Sequence, residues 1–313
     1  MTDAVTQRKT LEKRTMLVKY SKGCHTGSVV HVGAATFGPG TFSVIAGPCA
    51  VENLQQLLQT ATAVQAAGAC CLRAGAYKPR TSPYSFQGLG EEGLRMLKTV
   101  AKQTQLPAVT EVMDAAQIDA VRQHAQAFQV GSRNMHNFSL LQALSRERLP
   151  VILKRGMSAR IDEWLLAAEY IVKGGNPNVI LCERGIRTFE VCLRNTLDLS
   201  AVAYLKQRTH LPVIVDPSHA TGMSELVIPL AKAALACGAD GLMVEVHPCP
   251  SQALCDGRQS LSPHAFEQLM KQLRALAAAC GKKMHAVQPL RDQPKTCATK
   301  CQSPPRQSEN RLR

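Results

Sequence analysis

The sequence predicts an α/β protein folded as a (β/α)8 TIM barrel, and three observations lead to this prediction. Eight short apolar runs typical of β-strands alternate with eight stretches of helical periodicity. Aromatic residues make up only 4% of the chain, so Val, Ile, Leu and Ala must fill the core, as in a parallel sheet covered by helices. Pro107, Pro150 and Pro212 each stand just before a predicted strand, where a missing N–H is tolerated. A doubly wound sheet is the alternative, but no GxGxxG follows the first strand.

The predicted elements follow one another without a long gap. The strands are SVIAGP (43–48), CLRAGA (71–76), AVTEV (108–112), FQVGS (128–132), VILKRG (151–156), VILCERG (179–185), VIVDPSH (213–219) and LMVEVHP (242–248). The helical patterns occupy residues 53–67, 90–104, 114–124, 137–146, 160–173, 195–208, 224–237 and 263–279. Asp114, Asn137 and Ser262 are predicted to be helix N-caps.

The two ends of the chain differ in composition from the middle. We predict a flexible basic arm (1–27), a hairpin that closes the barrel bottom (28–42), the catalytic barrel (43–281) and a disordered basic tail (282–313). Residues 1–22 and 282–313 together hold +10 of the net charge of +14. Such tails can bind nucleic acid, but they are more often simply solvated, and we expect no nucleic-acid partner.

No apolar run reaches the ~18 residues of a membrane span, and no signal-peptide pattern opens the chain. We therefore expect a cytoplasmic protein without a membrane partner. The twelve cysteines include no CxxC pair, so neither a disulfide scaffold nor a zinc ribbon is predicted.

Four potential metal ligands stand at or just past predicted strand ends. Cys49 follows VIAGP, His219 ends VIVDPSH, Glu245 lies in LMVEV and Asp256 lies in the loop beyond. Each alone is more often a core or loop residue, but a parallel barrel would bring all four to one mouth. A thiolate, an imidazole and two carboxylates suit Mn²⁺, Fe²⁺, Co²⁺ or Zn²⁺, whereas Mg²⁺ rarely binds a thiolate.

Cations gather at the same strand ends: Lys78, Arg80, Arg133, Lys154, Arg155 and Arg184. Lys154 and Arg184 fall within apolar strands, where an unpaired charge is costly. Either Glu111 and Glu183 pair with these cations inside the protein, or an anionic substrate does. Because six cations exceed the needs of one phosphate, we favour a substrate set with two anionic groups.

Several longer motifs resemble one enzyme family. They are IAGPCAVE (45–52), AGAYKPRTSPYSFQGLG (74–90), VGSRNMHNF (130–138), LKRG (153–156), ILCERGIRTFE (180–190), VDPSHATG (215–222), VEVHP (244–248) and DGRQSL (256–261). Over this span the chain resembles the DAHP synthases (3-deoxy-D-arabino-heptulosonate 7-phosphate synthases) of type I, in the branch related to KDO8P synthase.

The resemblance implies a transferase reaction. Phosphoenolpyruvate (PEP) would condense with D-erythrose 4-phosphate and water, giving DAHP and phosphate, the first step of the shikimate pathway of aromatic amino acid biosynthesis. Two phosphorylated substrates would account for the surplus of cations. A divalent metal ion, for which we expect Mn²⁺ with Fe²⁺, Co²⁺ or Zn²⁺ as alternatives, would act as a Lewis acid on the aldehyde oxygen.

Site residues are carried over from the matching motifs. The implied metal ligands are Cys49, His219, Glu245 and Asp256. The implied contacts to PEP are Arg133, Lys154 and Arg184. The implied contacts to erythrose 4-phosphate are Lys78, Arg80 and Thr81. The residues implied to take part in catalysis are Cys49, Arg80, Lys154 and His219.

Some points stay open within the resemblance. Lys154 is either a proton donor or an anchor for the PEP carboxylate, and Asp216 is a candidate to orient His219. Cys255 stands where relatives often carry Ser, which adds a thiol beside the predicted metal. About 40 residues precede the first strand, too few for a ferredoxin-like regulatory module, so we expect no built-in feedback control. A homodimer or homotetramer is expected.

Two other functions were considered. A KDO8P or sialic acid synthase would use the same PEP chemistry with another sugar, but the KPRTSPYSFQG loop favours erythrose 4-phosphate. A barrel without activity that binds a partner through its basic tails is disfavoured by the four potential ligands.

Overall fold

Eight parallel strands form a closed barrel in the computed structural model, which describes residues 16–21 and 26–284. The barrel strands are β3 (Thr41–Gly47), β4 (Cys71–Arg73), β5 (Ala108–Glu111), β6 (Ala127–Val130), β7 (Val151–Lys154), β8 (Val179–Glu183), β9 (Val213–Val215) and β10 (Gly241–Glu245). Each strand pairs with its sequence neighbour, and β10 pairs with β3 from Gly241↔Ser43 to Glu245↔Gly47. This last pairing closes the ring, so the predicted (β/α)8 fold is confirmed.

Helices connect the strands on the outside of the barrel. They are α1 (Leu54–Ala67), α2 (Glu91–Thr104), α3 (Ile118–Arg122), α4 (Phe138–Leu144), α5 (Ile161–Lys173), α6 (Leu199–Leu205), α7 (Pro217–Thr221), α8 (Ser224–Ala236) and α9 (Pro263–Ala279). Short 3-10 turns lie at Ala115–Gln117, Ser132–Asn134, Pro250–Gln252 and Gly257–Gln259. The predicted caps Asp114, Asn137 and Ser262 each accept a backbone N–H at a helix or turn start.

Each predicted strand extends past the end of the observed strand, and for the segment 213–219 the reason is local. The segment 213–219 was predicted to be strand throughout, but β9 ends at Val215 and α7 begins at Pro217. Asp216 ends the strand because its side chain caps the new helix, accepting the His219 N–H at 2.9 Å, and proline suits the first helical position. His219 therefore lies on a short helix rather than on a strand.

The barrel interior is filled by buried side chains from every strand, which together form the interior layer of the core. The layer consists of Ile45, Cys71, Val109, Ala127, Ile152, Ile180, Ile214 and Met243. Their strand neighbours, such as Val44, Leu153 and Leu181, point outward into the larger core under the helices. This alternation follows from the two-residue period of a strand, and it decides which strand-end residues face the barrel mouth.

A two-stranded hairpin packs against this interior layer. Strand β1 (Val30–Val32) pairs antiparallel with β2 (Ala35–Phe37). Their buried residues Val30, Val32, Ala35 and Phe37 belong to the same apolar cluster as the interior layer. The hairpin thus covers apolar side chains at the end of the barrel where β3 begins.

Parts of both predicted tails are held by the barrel. The N–H groups of Leu17 and Val18 donate to the Glu169 carboxylate at 3.0 Å each. Strand β11 (Lys283–Met284) pairs in parallel with the start of β3. Residues 16–21 and 282–284 are therefore bound to the barrel, although they were predicted to be flexible or disordered. The rest of the predicted arm and tail, at 1–15, 22–25 and 285–313, lies outside the described residues.

Within the described residues, no helix has both the length and the apolar character needed to cross a membrane.

Candidate active site

The four predicted ligands meet at the carboxyl ends of the barrel strands. Cys49 follows β3, His219 lies on α7 after β9, Glu245 is the last residue of β10, and Asp256 stands in the loop after β10. One ligand atom from each of these residues lies within 4.8 Å of the others. Such spacing allows all four atoms to reach one ion. The donor set itself, one sulfur, one nitrogen and carboxylate oxygens, suits a borderline divalent ion.

Cys49 and Asp256 form one side of this cluster. The Cys49 Sγ lies 3.2 Å from Asp256 Oδ2 and accepts a hydrogen bond from Lys78 Nζ at 3.0 Å. The Arg194 Nη1 lies 3.6 Å from Asp256 Oδ1. Burial alone would raise the pKa of Asp256, but interactions with His219, Cys49 and Arg194 lower it to about 2. Asp256 therefore stays ionised and available to a cation.

Glu245 is held from two sides. Its Oε1 pairs with Arg73 Nη1 at 2.7 Å, and its Oε2 accepts from Gln259 Nε2 at 2.6 Å. All three side chains are buried. Burial would raise the pKa of Glu245, but His219 and Arg73 hold that pKa below its usual range. The carboxylate is thus charged and fixed in orientation.

His219 is oriented by Asp216. The Asp216 Oδ2 lies 2.7 Å from His219 Nδ1, which places the other ring nitrogen, Nε2, 3.3 Å from Glu245 Oε1. Burial keeps the pKa of His219 below its usual range in spite of the two carboxylates. A neutral imidazole whose Nδ1–H is bound by a carboxylate presents Nε2 to a metal.

Asp216 also forms an ion pair with Lys154, which the sequence predicts to contact PEP. The Lys154 Nζ donates to Asp216 Oδ2 at 2.5 Å. Burial would raise the pKa of Asp216, but His219 and Lys154 hold it well below its usual range. One buried carboxylate therefore joins a metal ligand to a cation at the cavity wall.

A cavity of about 320 Å³ opens beside the ligand cluster. Every residue predicted to bind a substrate lines it: Lys78, Arg80, Thr81, Arg133, Lys154 and Arg184. His219 and Asp256 line the same cavity, so a molecule bound there would touch the ligand cluster. The roles assigned to these residues stay predictions, but their common location is a feature of the fold.

Arg155 is different from the other predicted cations. Its Nη1 bonds Glu183 Oε2 at 3.0 Å and Asp198 Oδ2 at 2.9 Å. Because side chains alternate along a strand, Lys154 and Arg184 point into the barrel mouth, whereas Arg155 and Glu183 point outward on neighbouring strands. Arg155 is therefore paired internally. Of the two cations for which internal pairing was left open, Lys154 also has an internal partner, but this partner is Asp216 and not Glu111 or Glu183.

Arg184 forms no ion pair with a carboxylate of the described residues. It is buried, and its only hydrogen bond to a described residue goes to the Gly185 carbonyl at 3.4 Å. Burial lowers the pKa of Arg184 below its usual range, in keeping with the cost of an unpaired buried charge. Glu111 forms no ion pair with Arg184, and its carboxylate accepts a hydrogen bond from Gln129 at 2.9 Å. Arg184 is thus a buried cation at the cavity wall, where an anion could reach it.

Three residues of the site were not assigned from the sequence. Arg73 could have been found, because a lone cation in the apolar strand CLR is the same signal that identified Lys154. Arg194 lies in the long connection between β8 and α6. This segment has no helical or strand periodicity from which the direction of the side chain could be predicted. Gln259 follows Asp256 in DGRQSL, and only the folded structure brings its amide to Glu245.

The fold and the site together define a class of protein: a (β/α)8 barrel enzyme with a metal-ligand cluster beside a cation-lined cavity. Comparison with known families narrows this class. The model of the DAHP synthetase I family matches residues 28–280, so the chain belongs to that family.

Two relatives illustrate the range of similarity. A phospho-2-dehydro-3-deoxyheptonate aldolase from Thermotoga maritima is 49% identical over 258 residues, which cover 82% of this chain and 76% of the relative. A 2-dehydro-3-deoxyphosphooctonate aldolase from Magnetococcus marinus is 33% identical over 256 residues, covering 75% and 87%.

Solved structures agree with the family assignment. The crystal structure of the Thermotoga maritima phospho-2-dehydro-3-deoxyheptonate aldolase (DAHP synthase) superimposes with a TM-score of 0.83 at 48% identity, covering 87% of this chain and 80% of that one. A truncated form of 3-deoxy-D-arabino-heptulosonate 7-phosphate synthase from the same organism gives a TM-score of 0.80 at 44% identity, covering 86% and 98%.

Proposed function

We propose that this chain is a DAHP synthase, which condenses PEP with D-erythrose 4-phosphate and water to give DAHP and phosphate. The reaction is the first step of the shikimate pathway. The observation that carries the proposal is one cavity lined by six cationic residues and by two of the four candidate metal ligands. The family membership and the 49% identical relative support the same reaction.

Cys49, His219, Glu245 and Asp256 would hold the divalent ion, for which we propose Mn²⁺ ahead of Fe²⁺, Co²⁺ and Zn²⁺. When bound, the ion supplies a Lewis acid for the aldehyde oxygen of the sugar phosphate.

PEP would lie against Arg133, Lys154 and Arg184. The assignment of Arg184 has the best support. A buried guanidinium that forms no ion pair with a described carboxylate would have its charge balanced by a dianionic ligand. Lys154 is proposed to anchor an anion, since its ion pair with Asp216 holds the ammonium group in place at the cavity wall.

Erythrose 4-phosphate would lie against Lys78, Arg80 and Thr81. Lys78 reaches the ligand cluster itself, bonding both the Sγ and the carbonyl oxygen of Cys49. Arg80 and Thr81 follow in the less buried loop. The sugar phosphate would therefore extend from the ion at its aldehyde end toward Arg80 and Thr81 at its phosphate end.

The decisive experiment measures phosphate release from PEP in the presence of erythrose 4-phosphate. We expect rapid release that a chelator abolishes and that added Mn²⁺ restores. Arabinose 5-phosphate serves as the competing sugar, because relatives at 30–33% identity are named 2-dehydro-3-deoxyphosphooctonate aldolases. Faster turnover with arabinose 5-phosphate would replace our proposal with the KDO8P reaction, and no release with either sugar would reject both.

Two further expectations accompany the proposed function. We propose a homodimer or homotetramer, which light scattering on the purified protein would test. We also propose a cytoplasmic location, which fractionation of the source cells would test.

A further inference from the structure

A second thiol lies at the edge of the ligand cluster. Cys255 directly precedes Asp256, and its side chain is buried. The Cys255 Sγ lies 3.3 Å from the Cys49 Sγ and 3.6 Å from Asp256 Oδ2. Cys49, Cys255 and Asp256 thus form a compact triangle of two sulfurs and one oxygen.

The size of this triangle fits ligands of a common ion. With metal–sulfur bonds of about 2.3 Å and metal–oxygen bonds of about 2.1 Å, two neighbouring ligands on a five-coordinate ion lie roughly 3.1–4.0 Å apart. The three observed separations are 3.2, 3.3 and 3.6 Å. Cys255 therefore needs only a small adjustment of its side chain to reach an ion that Cys49 and Asp256 already hold.

Cations near the two sulfurs would balance the negative charge of a second thiolate. The Arg80 Nη1 donates to Cys255 Sγ at 2.8 Å, and the Lys78 Nζ donates to Cys49 Sγ at 3.0 Å. Arg80 has five N–H groups, so one bond to sulfur leaves others for a substrate phosphate. A buried pair of thiolates without such partners would be strongly unfavourable.

We propose that Cys255 is a second sulfur ligand of the metal centre whenever the centre holds a thiophilic ion such as Zn²⁺, Co²⁺ or Cd²⁺. The proposal rests on the proposed metal centre and extends its ligand set. On binding, the Cys255 S–H bond breaks, the proton passes to solvent and a sulfur–metal bond forms. Soft thiolates favour Zn²⁺ and Cd²⁺ over Mn²⁺, so Cys255 would shift the metal preference of this chain toward thiophilic ions.

The test counts sulfur ligands by spectroscopy. Metal-free, full-length protein is titrated with Co²⁺ or Cd²⁺ under anaerobic, reducing conditions that prevent disulfide formation. The sulfur-to-metal charge-transfer absorption per bound ion is compared for wild type, Cys255→Ser, Cys49→Ser and the control Cys237→Ser. Cys237 follows α8 at the opposite end of the barrel, so its replacement should leave the signal unchanged.

We expect Cys255→Ser to retain about half of the wild-type charge-transfer signal. We also expect calorimetry to give about a tenfold loss of Cd²⁺ affinity, with Mn²⁺ affinity changed less than about twofold. A full signal in Cys255→Ser would overturn the proposal, because the thiol would then only hydrogen-bond to Cys49. Absence of ion binding by the wild type would reject the proposed metal centre as well, which keeps the two failures distinct.

Discussion

Each candidate metal ligand forms a hydrogen bond or an ion pair with a neighbouring side chain. Lys78 bonds Cys49, and Arg73 bonds Glu245. A cluster of anionic groups without an ion would repel itself, and these cations reduce that repulsion before any ion arrives. Contacts within the protein therefore help to orient the candidate ligands, which favours tight binding of an ion.

The first prediction concerns Cys49. Replacing Cys49 by Ala removes the sulfur donor and leaves three ligand candidates, so we expect loss of nearly all Mn²⁺ binding and nearly all turnover. The fold should persist, because the barrel core does not depend on the thiol. Mn²⁺ titration and circular dichroism measure the two effects, with Cys237→Ala as the control. Turnover like that of wild type would remove Cys49 from the metal centre.

The second prediction concerns Arg155. Arg155→Met would leave Glu183 and Asp198 without their shared cation, and breaking such a buried pair costs about 3–5 kcal/mol of unfolding free energy. Urea denaturation measures this loss. The control Arg160→Met removes an exposed pair with Asp162 and should cost less than about 1 kcal/mol. Equal losses in both variants would show that Arg155 is not a structural cation.

At the scale of elements, the loop after β10 is tied to the segment after β3. The Glu52 Oε1 accepts the Leu254 N–H at 2.8 Å, and its Oε2 lies 3.3 Å from His247 Nε2. This carboxylate holds the loop two residues before Asp256. The position of one metal-ligand candidate therefore depends on a side chain from another βα connection.

The third prediction tests this tie. Glu52→Ala frees the loop without touching any ligand, so we expect Mn²⁺ affinity to fall about tenfold while the thermal stability of the barrel changes little. Calorimetric titration of the metal-free protein measures the affinity. Glu267→Ala removes an exposed carboxylate on α9 and serves as the control. Unchanged affinity in Glu52→Ala would mean that the loop is held by other contacts.

The elements differ in how far the sequence determines them. Continuous apolar runs located all eight strands, because each strand is buried on both faces. The two-residue period of a strand separates Lys154 from Arg155, so the outward direction of Arg155 was within reach of the sequence. The contact of Arg194 with Asp256 was not, because it joins two irregular connections whose paths depend on the whole fold.

At the scale of the whole molecule, closure of the barrel brings β10 beside β3, and β11 adds a further pair of residues to β3. Lys282 contributes here as well, since its Nζ donates to the buried Asp240 carboxylate at 3.1 Å. Residues 282–284 therefore stabilise the end of the barrel opposite the cavity.

The fourth prediction compares two shortened chains. A chain ending at residue 285 keeps every described contact, so we expect turnover and melting temperature close to those of the full chain. A chain ending at residue 281 loses β11 and the Lys282–Asp240 pair and should melt several degrees lower. Kinetic assays and calorimetry check both. Loss of turnover in the chain ending at 285 would place a function in residues 286–313.

The lone buried Arg184 has a consequence for handling the protein. A buried guanidinium that forms no ion pair with a described carboxylate raises the free energy of the fold, and a small dianion that enters the cavity relieves this cost. Sulfate or inorganic phosphate at about one hundred times its dissociation constant would add about 2.7 kcal/mol to the folded state. Protein purified in phosphate would then melt at a higher temperature, and the bound phosphate would partly inhibit turnover. Dialysis into a buffer that contains only monovalent anions would reverse both effects.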